Sequence, residues 1–413
     1  MNKFYQLSPI ERLLSLKENN HISTVQLNLL KNTLNEKQLD VCNQLSENVV
    51  SGLYLPLSIV PDVCIDNIKY QVPMTTEESS VVAAINKINK MIINSGTITT
   101  ESSGNIGIGQ MHLPKLKKPE NFINKVIHNK EKWQNIAHKS CLKSMVSRGG
   151  GIVEIEPKML GDIGLIHFHV DTCDAMGANI INQMLEMLAE YVAKDLEEEI
   201  GIKILSNFTD RSLTKAQLKV KIPKAQAEKI VQANNLAKID KYRACTHNKG
   251  IMNGICAIFL ATGNDYRAVS AAVHTFAAEN GYSSLTEWWY SNGLLHGNIT
   301  IPINIGILGG MTKVHPITKC CLEVLKVKNA AELARICAAI GLMQNLAALL
   351  ALTSEGICKG HMALHINNIL SELALSKKEH DVLKNVLLEM VNSGLCISTS
   401  EAQKALARIR ENL

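Results

Sequence analysis

Hydrophobic positions in the first hundred residues follow a mainly helical period. The first fifty residues predict helices, the first of which begins at Ser8 and the proline after it. Residues 54–74 predict short strands interrupted by prolines. Residues 79–94 return to a helical period, with Ser79 or Ser80 as the cap. This part of the chain therefore predicts helices with a few short strands.

A second pattern follows a stretch at 95–110 that is rich in glycine, serine and threonine, which predicts a crossing between domains. The next segments are a helix, two alternating strands around a Gly-Asp turn, a long amphipathic helix and another strand, at 119–147, 151–157, 164–171, 175–199 and 202–207. The two alternating strands predict a hairpin. Helices and strands in this order predict a small α+β domain of ferredoxin-like character.

The remaining chain is again mostly helical. Helical patterns cover 225–281 and 328–354, with strands and glycine turns at 284–313 between them. The last segment, 361–413, is helical and polar and predicts a separate small module. The predicted fold class is α+β.

Composition and charge narrow the class of protein. Of the 413 residues, 46% are hydrophobic and only 4% aromatic, so aliphatic side chains must fill the core. The formal net charge of +5 is spread along the chain, without an arginine-rich tail or an aromatic-interleaved basic stripe. We therefore expect no nucleic-acid partner. A mildly basic surface suits an anionic small molecule such as a phosphorylated cofactor.

We expect a cytoplasmic protein that does not bind membranes. The eleven cysteines are an odd set without CxxC spacing, unlike a secreted disulfide scaffold. The N-terminus has no apolar signal-peptide segment. The longest apolar stretch, 338–353, is interrupted by Gln344 and Asn345 and is shorter than the ~20 residues that span a bilayer.

Two glycine-containing segments differ in their value as nucleotide-binding signals. The glycines from Gly104 to Gly109 have the dinucleotide spacing in reverse and no helix pattern after them, so they predict a linker or a strand. The segment DAMGAN at 174–179 lies between a predicted strand and a long helix. Its small residues would let a phosphate or ribose approach backbone N–H groups. The alternative is an ordinary helix start capped by Asp174.

Charged residues occur at unusual places in three further segments. Glu77 and Glu78 directly precede an apolar helix, where they could serve the helix dipole or act as an acid. Lys249 lies between glycines in an apolar region, and Asp265 lies in another tight turn sixteen residues on. Because neither residue is on a charged helix face, we predict that Lys249 and Asp265 form a buried pair.

Two histidines near the C-terminus, His361 and His365, are four residues apart. This spacing can hold zinc, but the metalloprotease pattern needs a glutamate directly after the first histidine, where Met362 stands. We favour a proton-donor role for His361. A zinc hydrolase built on both histidines is the alternative.

Six segments in order along the chain resemble those of class II 3-hydroxy-3-methylglutaryl-CoA (HMG-CoA) reductase, the soluble bacterial form. They are PMTTEESSVVAA, DAMGAN, YRACTHNKGIMNG, ATGND, GLMQNL and GHMALH, between about residues 7 and 370. The resemblance implies a large domain around a central helix, an inserted ferredoxin-like cofactor domain and a C-terminal helical flap. The implied boundaries are 1–104, 105–208, 209–357 and 358–413.

The resemblance also implies the site residues. The catalytic set is Glu78, Lys249, Asp265 and His361. The residues that hold the substrate or support the site are Ser80, Asn207, Arg243, Asn253 and Gln344. Those of the cofactor site are Asp174, Met176, Gly177 and Asn179. Because active sites of this family form across a dimer interface, a homodimer or a higher even oligomer is implied.

The cofactor preference rests on one position. Leu142 stands where members that use NADH carry an aspartate that would repel a 2′-phosphate. We therefore favour NADPH over NADH and expect the neighbouring Lys143 and Arg148 in the cofactor site. Two positions depart from the family pattern: Ser51 replaces a usual glycine, and Tyr5 stands where some members have a CoA-binding arginine.

The implied reaction takes the thioester HMG-CoA to mevalonate and CoA by two hydride transfers, or the reverse, without a metal. Lys249, held by Asp265, would stabilise the oxyanion. Glu78 would protonate the aldehyde oxygen and His361 the departing CoA thiolate. The alternative is a non-catalytic acyl-CoA-binding regulatory protein on the same scaffold.

Overall fold

The computed structural model describes residues 3–354, 366, 369–393, 395 and 397–411. Within these residues, buried apolar side chains form three separate cores. The largest spans residues 60–349, the second 111–196 and the third 366–406. A large helical domain, a small inserted domain and a C-terminal helical module confirm the predicted α+β class.

The first part of the large domain is mostly helical. It contains a 3₁₀ turn Phe4–Gln6, helices α1 Pro9–Glu18, α2 Thr24–Thr33 and α3 Glu36–Leu45, strands β1 Leu57–Ile65 and β2 Ile68–Thr75, helix α4 Val81–Ser95 and strand β3 Gly96–Ser102. Ser8 caps α1 as predicted, in a reciprocal pair with Glu11. Ser80 precedes α4, but with a left-handed φ of 76° and without a side-chain capping bond.

The small domain is a four-stranded sheet covered by helices on one face. It contains β4 Ile106–Leu113, α5 Pro119–Lys139, α6 Lys143–Val146, β5 Gly151–Leu160, β6 Ile163–Asp171, α7 Ala178–Leu196 and β7 Lys203–Ser206. The sheet order is β5-β6-β4-β7 with antiparallel neighbours, which is the ferredoxin-like topology. The predicted hairpin is confirmed as β5 and β6.

The glycine-rich stretch at 95–110 is not a crossing along its whole length, because most of it forms β3 and β4. Gly107 and Gly109 lie beneath α7. A Cβ on Gly107 would come within 2.5 Å of the Ile181 side chain, and one on Gly109 within 3.0 Å of Leu185. These glycines therefore allow a helix to pack closely on the strand.

The second part of the large domain surrounds one long helix. It contains β8 Leu213–Val220, α8 Lys224–Ile239, α9 Lys241–Ala261, α10 Tyr266–Ala278, β9 Thr286–Ser291, β10 Leu294–Pro302, α11 Met311–Val314, α12 Pro316–Leu325 and α13 Ala330–Thr353. A sheet of order β3-β8-β10-β9 and helices α4, α8 and α9 pack against α13. Helix α13 is long and apolar enough to cross a bilayer, but it is mostly buried inside the domain. It is the central helix that the resemblance implied.

The C-terminal module contains helices α14 Lys377–Asn392 and α15 Thr399–Glu411, which pack against one another. Ile366, Ile369 and Leu370 belong to the same small core. The helical prediction for this region is confirmed for the residues that the structure describes.

Two neighbouring crossings connect the small domain to the large one. The N–H of Ser103 donates to the carbonyl of Leu213 at 2.9 Å, and its hydroxyl donates to the carbonyl of Arg211 at 2.8 Å. The Ser212 hydroxyl accepts from the N–H of Ile106 at 2.7 Å and donates to its carbonyl at 2.9 Å. The outgoing and returning chains are therefore hydrogen-bonded to each other.

Candidate active site

An open groove brings together one carboxylate, one ammonium and one amide. Glu78 follows β2, and its Oε2 lies 2.8 Å from the Nζ of Lys249. Its Oε1 accepts from the Asn253 amide at 3.1 Å. Lys249 and Asn253 are one turn apart on α9 and therefore point to the same side. The predicted residues Glu78, Lys249 and Asn253 thus share one site.

Lys249 does not lie in a glycine turn, as its neighbours suggested, but within the continuous helix α9. A Cβ on Gly250 would meet open space, whereas one on Gly254 would come within 3.0 Å of Ile340 on α13. On the other helix, a Cβ on Gly341 would come within 2.9 Å of Ile255. Glycines on both helices thus let α9 pack closely on the buried central helix, which places Lys249 on a rigid support.

Helix α10 forms the other wall of the groove. Side chains of both α9 and α10 line the groove. Those that were not expected from the sequence include Met252, Cys256, Leu260, Tyr266, Arg267, Ser270 and His274. The helical spacing of positions 266, 270 and 274 after Asp265 is the signal that could have identified this wall. The groove is therefore partly apolar, with Arg267 as a second cation.

Asp265 does not pair with Lys249 within the chain. Its carboxylate caps α10 by accepting from the N–H groups of Arg267 at 3.0 Å and Ala268 at 3.1 Å. It also forms an ion pair with the Arg267 side chain at 3.2 Å. Burial alone would raise the pKa of Asp265, but the hydrogen bonds and charge of Arg267, with the Ala268 N–H, outweigh it and lower the pKa. The predicted pair is wrong for a single chain because the α10 N-terminus already binds this carboxylate.

A second pocket forms around the DAMGAN loop. Its lining comes from residues 175–180, 263–265 and the segment between 306 and 312. Met176, Gly177, Asn179 and Asp265 therefore meet in one pocket, beside the N-terminus of the nineteen-residue helix α7. Exposed N–H groups at such a terminus favour phosphate.

Asp174 does not cap α7, because Gly177 takes that position with a φ of 92°. The carboxylate of Asp174 instead accepts from the N–H of Ala330 at 2.8 Å, at the start of α13. Its carbonyl accepts from the N–H of Ile307 at 2.9 Å. Asp174 therefore holds the loop against the central helix.

Asn105 is a residue that sequence reasoning missed at this loop. It is buried, and its amide donates to the carbonyls of Ala175 at 2.7 Å and Ile305 at 2.8 Å. It thereby connects one domain crossing to the DAMGAN loop. An asparagine inside an otherwise glycine-rich apolar segment is the signal that could have drawn attention to it.

Lys143 and Arg148, predicted near the cofactor, are exposed, the first at the start of α6 and the second two residues after its end. The backbone carbonyl of Arg148 accepts a weak hydrogen bond from the Cys173 thiol at 3.8 Å. Because Cys173 directly precedes Asp174, the Arg148 end of α6 lies next to the DAMGAN loop.

The other predicted substrate residues are dispersed around these two pockets. Asn207 follows β7 and lines a narrow cavity with Met176 and Asn304. Gln344 is buried on α13, and its Oε1 has no hydrogen-bond partner among the described residues. Arg243 lies in the first turn of α9, where burial lowers the pKa of its guanidinium. Ser80 lies two residues after Glu78, and its left-handed backbone is typical of functional positions.

A buried polar network lies beneath the groove. The Nε2 of His247 contacts the Thr286 hydroxyl at 2.7 Å, the Ser284 hydroxyl at 3.0 Å and the Asn345 amide at 3.0 Å. Burial, reinforced by the nearby Arg243 charge, lowers the pKa of His247 to about 4. The neutral imidazole therefore connects α9 to β9 and α13.

The predicted proton donor His361 and its neighbour His365 lie outside the described residues. The structure therefore shows the site of three of the four predicted catalytic residues. Glu78 and Lys249 meet in the groove, and Asp265 lies in the pocket of the DAMGAN loop.

A charged groove and a phosphate-compatible pocket on two domains are typical of a cofactor-dependent enzyme, and comparisons with known proteins identify which one. The family model described as hydroxymethylglutaryl-coenzyme A reductase matches residues 8–366. An HMG-CoA reductase of Archaeoglobus fulgidus is 38% identical over 98% of this chain and 94% of its own length. A probable HMG-CoA reductase of Borreliella burgdorferi is 34% identical over 91% of this chain and 89% of its own.

Solved structures agree with these sequence comparisons. An HMG-CoA reductase of Streptococcus pneumoniae matches with a TM-score of 0.75 and 35% identity, over 99% of both chains. A structure of the class II enzyme of that organism, bound to NADPH in open conformations, matches with a TM-score of 0.74 and 37% identity, over 86% of this chain and 99% of the other. The chain therefore belongs to the hydroxymethylglutaryl-coenzyme A reductase family and is an oxidoreductase. The class II resemblance seen in the sequence is confirmed.

Proposed function

We propose that this reductase uses the groove around Glu78, Lys249 and Asn253 to convert HMG-CoA to mevalonate and CoA, or to run the reverse reaction. The observation that carries the proposal is the contact of one carboxylate with both the ammonium and the amide, at 2.8 and 3.1 Å. Support for a nicotinamide cofactor comes from the NADPH-bound relative and from the pocket at the N-terminus of α7.

The groove residues have distinct roles in this proposal. Negative charge develops on the thioester oxygen during reduction, and the Lys249 ammonium would stabilise it by roughly 3–4 kcal/mol. Glu78 is held by Asn253 and, once it has taken up a proton, can deliver that proton to the aldehyde oxygen. The cofactor supplies the hydride when bound. Protonation of the CoA thiolate by His361 remains part of the proposal.

The complete site, in our proposal, needs two copies of the chain. Lys249 and the end of α9 are twelve residues apart, which corresponds to about 18 Å along the helix axis. Asp265 and the DAMGAN pocket lie beyond that end, whereas Glu78 is beside Lys249. A second copy could place its Asp265 and cofactor pocket against the first copy's groove. This arrangement would also give Asp265 its expected Lys249 partner.

Mixing two inactive variants tests the shared site. Lys249→Ala removes the ammonium, and Asp265→Asn keeps a side chain that can still cap α10. If each site uses Lys249 from one copy and Asp265 from the other, half of the mixed dimers' sites are intact. Co-refolding equal amounts should then restore about a quarter of wild-type activity. Activity no higher than the sum of the separate variants would contradict the shared site.

The reaction itself is tested by oxidation of NADPH or NADH in the presence and absence of HMG-CoA, and by the reverse assay with mevalonate, CoA and the oxidised cofactors. We expect cofactor oxidation only when HMG-CoA is present. HMG-CoA binding in calorimetry without turnover in either direction would instead support the acyl-CoA-binding alternative, which family membership does not favour.

The same proposal includes a cytoplasmic location and a homodimer or higher even oligomer. It also includes the domain boundaries 1–104, 105–208, 209–357 and 358–413. The boundaries follow the separation of the three apolar cores. The burial of the apolar helix α13 inside the large domain supports the cytoplasmic location.

A further inference from the structure

A row of polar side chains crosses the small-domain sheet on the face opposite its helices. In this row, Glu156 of β5 is paired with His167 of β6, which is paired with Gln110 of β4. His169 lies two residues along β6 and therefore on the same face. The intervening residue Phe168 belongs to the apolar core. Strand register thus brings two imidazoles and one carboxylate to one place.

The spacing of these groups matches that of metal ligands. The ligand atoms of Glu156, His167 and His169 all lie within 4.8 Å of one another. The Nε2 of His169 is 3.3 Å from the Oε2 of Glu156. Two ligands at about 2.0–2.1 Å from one tetrahedral zinc ion are separated by roughly 3.3 Å. One ligand pair therefore already has the spacing of a metal site, and the ligand atom of His167 lies within 4.8 Å of both.

One imidazole of the row is buried and has a ring nitrogen without a partner. His169 is only 2% exposed, and its Nδ1 has no hydrogen-bond partner among the residues described. Buried polar atoms rarely lack a partner, and an ion bound beside this ring would account for the exception.

Gln110 can orient His167 from the third strand. Its amide nitrogen is placed 2.7 Å from the Nε2 of His167. Amide oxygen and nitrogen are interchangeable in such an assignment. With the oxygen facing the ring, Gln110 accepts from Nε2–H and leaves Nδ1 as the ligand, which is the usual support for a metal-bound histidine.

Two cations compete for the carboxylate of this row. Lys158 lies 3.6 Å and Arg211 lies 3.5 Å from Glu156. Arg211 is also paired with Glu154, so it keeps a partner when Glu156 turns to a metal. Both contacts to Glu156 are longer than a close ion pair, and exposed pairs of this kind contribute only ~0–1 kcal/mol. A bound divalent cation would outweigh them.

We propose that His167, His169 and Glu156 form a binding site for a divalent transition metal of the zinc class, separate from the catalytic groove. The three side chains leave a fourth position for water. The ion would cross-link β5 and β6 next to Arg211, which belongs to the crossing between the domains. No metal was expected from the sequence, because the row becomes visible only when the strands are paired.

Cobalt binding to the full-length protein, stripped by a chelator, tests the site. We expect one Co²⁺ per chain with d–d absorption from nitrogen and oxygen ligands and no thiolate charge-transfer band. Glu156→Gln and His167→Gln should each weaken binding at least about tenfold. Glu154→Gln is the matched control, since Glu154 lies on the same strand face and also contacts Arg211 but is not in the cluster.

The outcome is decided by comparing these variants. Reductase activity and circular dichroism should stay at wild-type levels in all three, since none belongs to the groove. Equal affinity in Glu156→Gln, His167→Gln and wild type would overturn the proposal. A thiolate band, which would assign the metal to the cysteines, or the absence of Co²⁺ binding at micromolar concentrations would also overturn it.

Discussion

Lys249 and Glu78 meet at 2.8 Å although they are far apart in sequence, one on helix α9 and the other in the segment after β2. Their side chains are 61% and 38% exposed, so the pair lies in an accessible groove. An exposed ion pair contributes little to stability. In the proposed mechanism the contact serves the chemistry, so its removal should separate activity from folding.

Replacing Lys249 by alanine should reduce kcat by about 10²–10³-fold, because the developing oxyanion loses its cation. The free energy of unfolding should change by less than about 0.5 kcal/mol. Steady-state cofactor oxidation and urea unfolding measure these two quantities. Lys241→Ala, at the exposed start of the same helix, is the control and should leave both unchanged. Retained turnover in Lys249→Ala would remove Lys249 from the mechanism.

Cofactor preference should respond to the charges around α6. The variant with both Lys143→Ala and Arg148→Ala should raise the KM for NADPH about tenfold, because a charge-assisted contact to a 2′-phosphate contributes about 1.5–3 kcal/mol. The KM for NADH should not change. Lys130→Ala, on the exposed face of α5, serves as the control. Equal effects on both cofactors would contradict contact with the 2′-phosphate.

Buried His247 should make the protein less stable in mild acid. Its pKa is about 4 in the folded chain and near 6.5 when unfolded, so the unfolded state binds the extra proton between these values. Stability is therefore fully present above about pH 6.5 and declines as pH falls towards 4. Between pH 7 and 5 the wild type should lose about 2 kcal/mol more than His247→Gln. Urea unfolding of both proteins at the two pH values measures this difference, and parallel losses would contradict it.

The packing of α9 on α13 should be sensitive to side-chain atoms added at the glycine of the contact. Gly341→Val should destabilise the fold by about 1–3 kcal/mol, because a Cβ there would come within 2.9 Å of Ile255. Gly250→Ala should instead stabilise it by about 0.5–1 kcal/mol, since that position faces open space within a helix. Thermal or urea unfolding gives both values. If both substitutions stabilise the fold, or both destabilise it, the close-packing role of Gly341 is contradicted.

The elements that the sequence predicted well are those whose signals are local. The cap at Ser8, the β5–β6 hairpin and the amphipathic helix α7 each depend on residues within a few positions of one another. The order of the motifs along the chain also placed Glu78 and Lys249 in one catalytic set, but this inference depended on the family resemblance.

What the sequence could not show depends on contacts between distant segments. The glycines around Lys249 resembled turn signals, but Gly254 serves a contact with Ile340. Asp174 resembled a cap for the helix after it, but its partner is the N–H of Ala330. The row from Glu156 to Gln110 depends on strand register, which alternating patterns leave open.

The paired crossings at Ser103 and Ser212 have a consequence for how such a chain can change over evolutionary time. Because the outgoing and returning backbones are already hydrogen-bonded neighbours, the large-domain sheet could be closed by a short turn in place of residues 106–206. The ferredoxin-like unit is thus a module whose gain, loss or exchange would alter the host's interior mainly where Asp174 binds the N–H groups of Ala330 and Ile307.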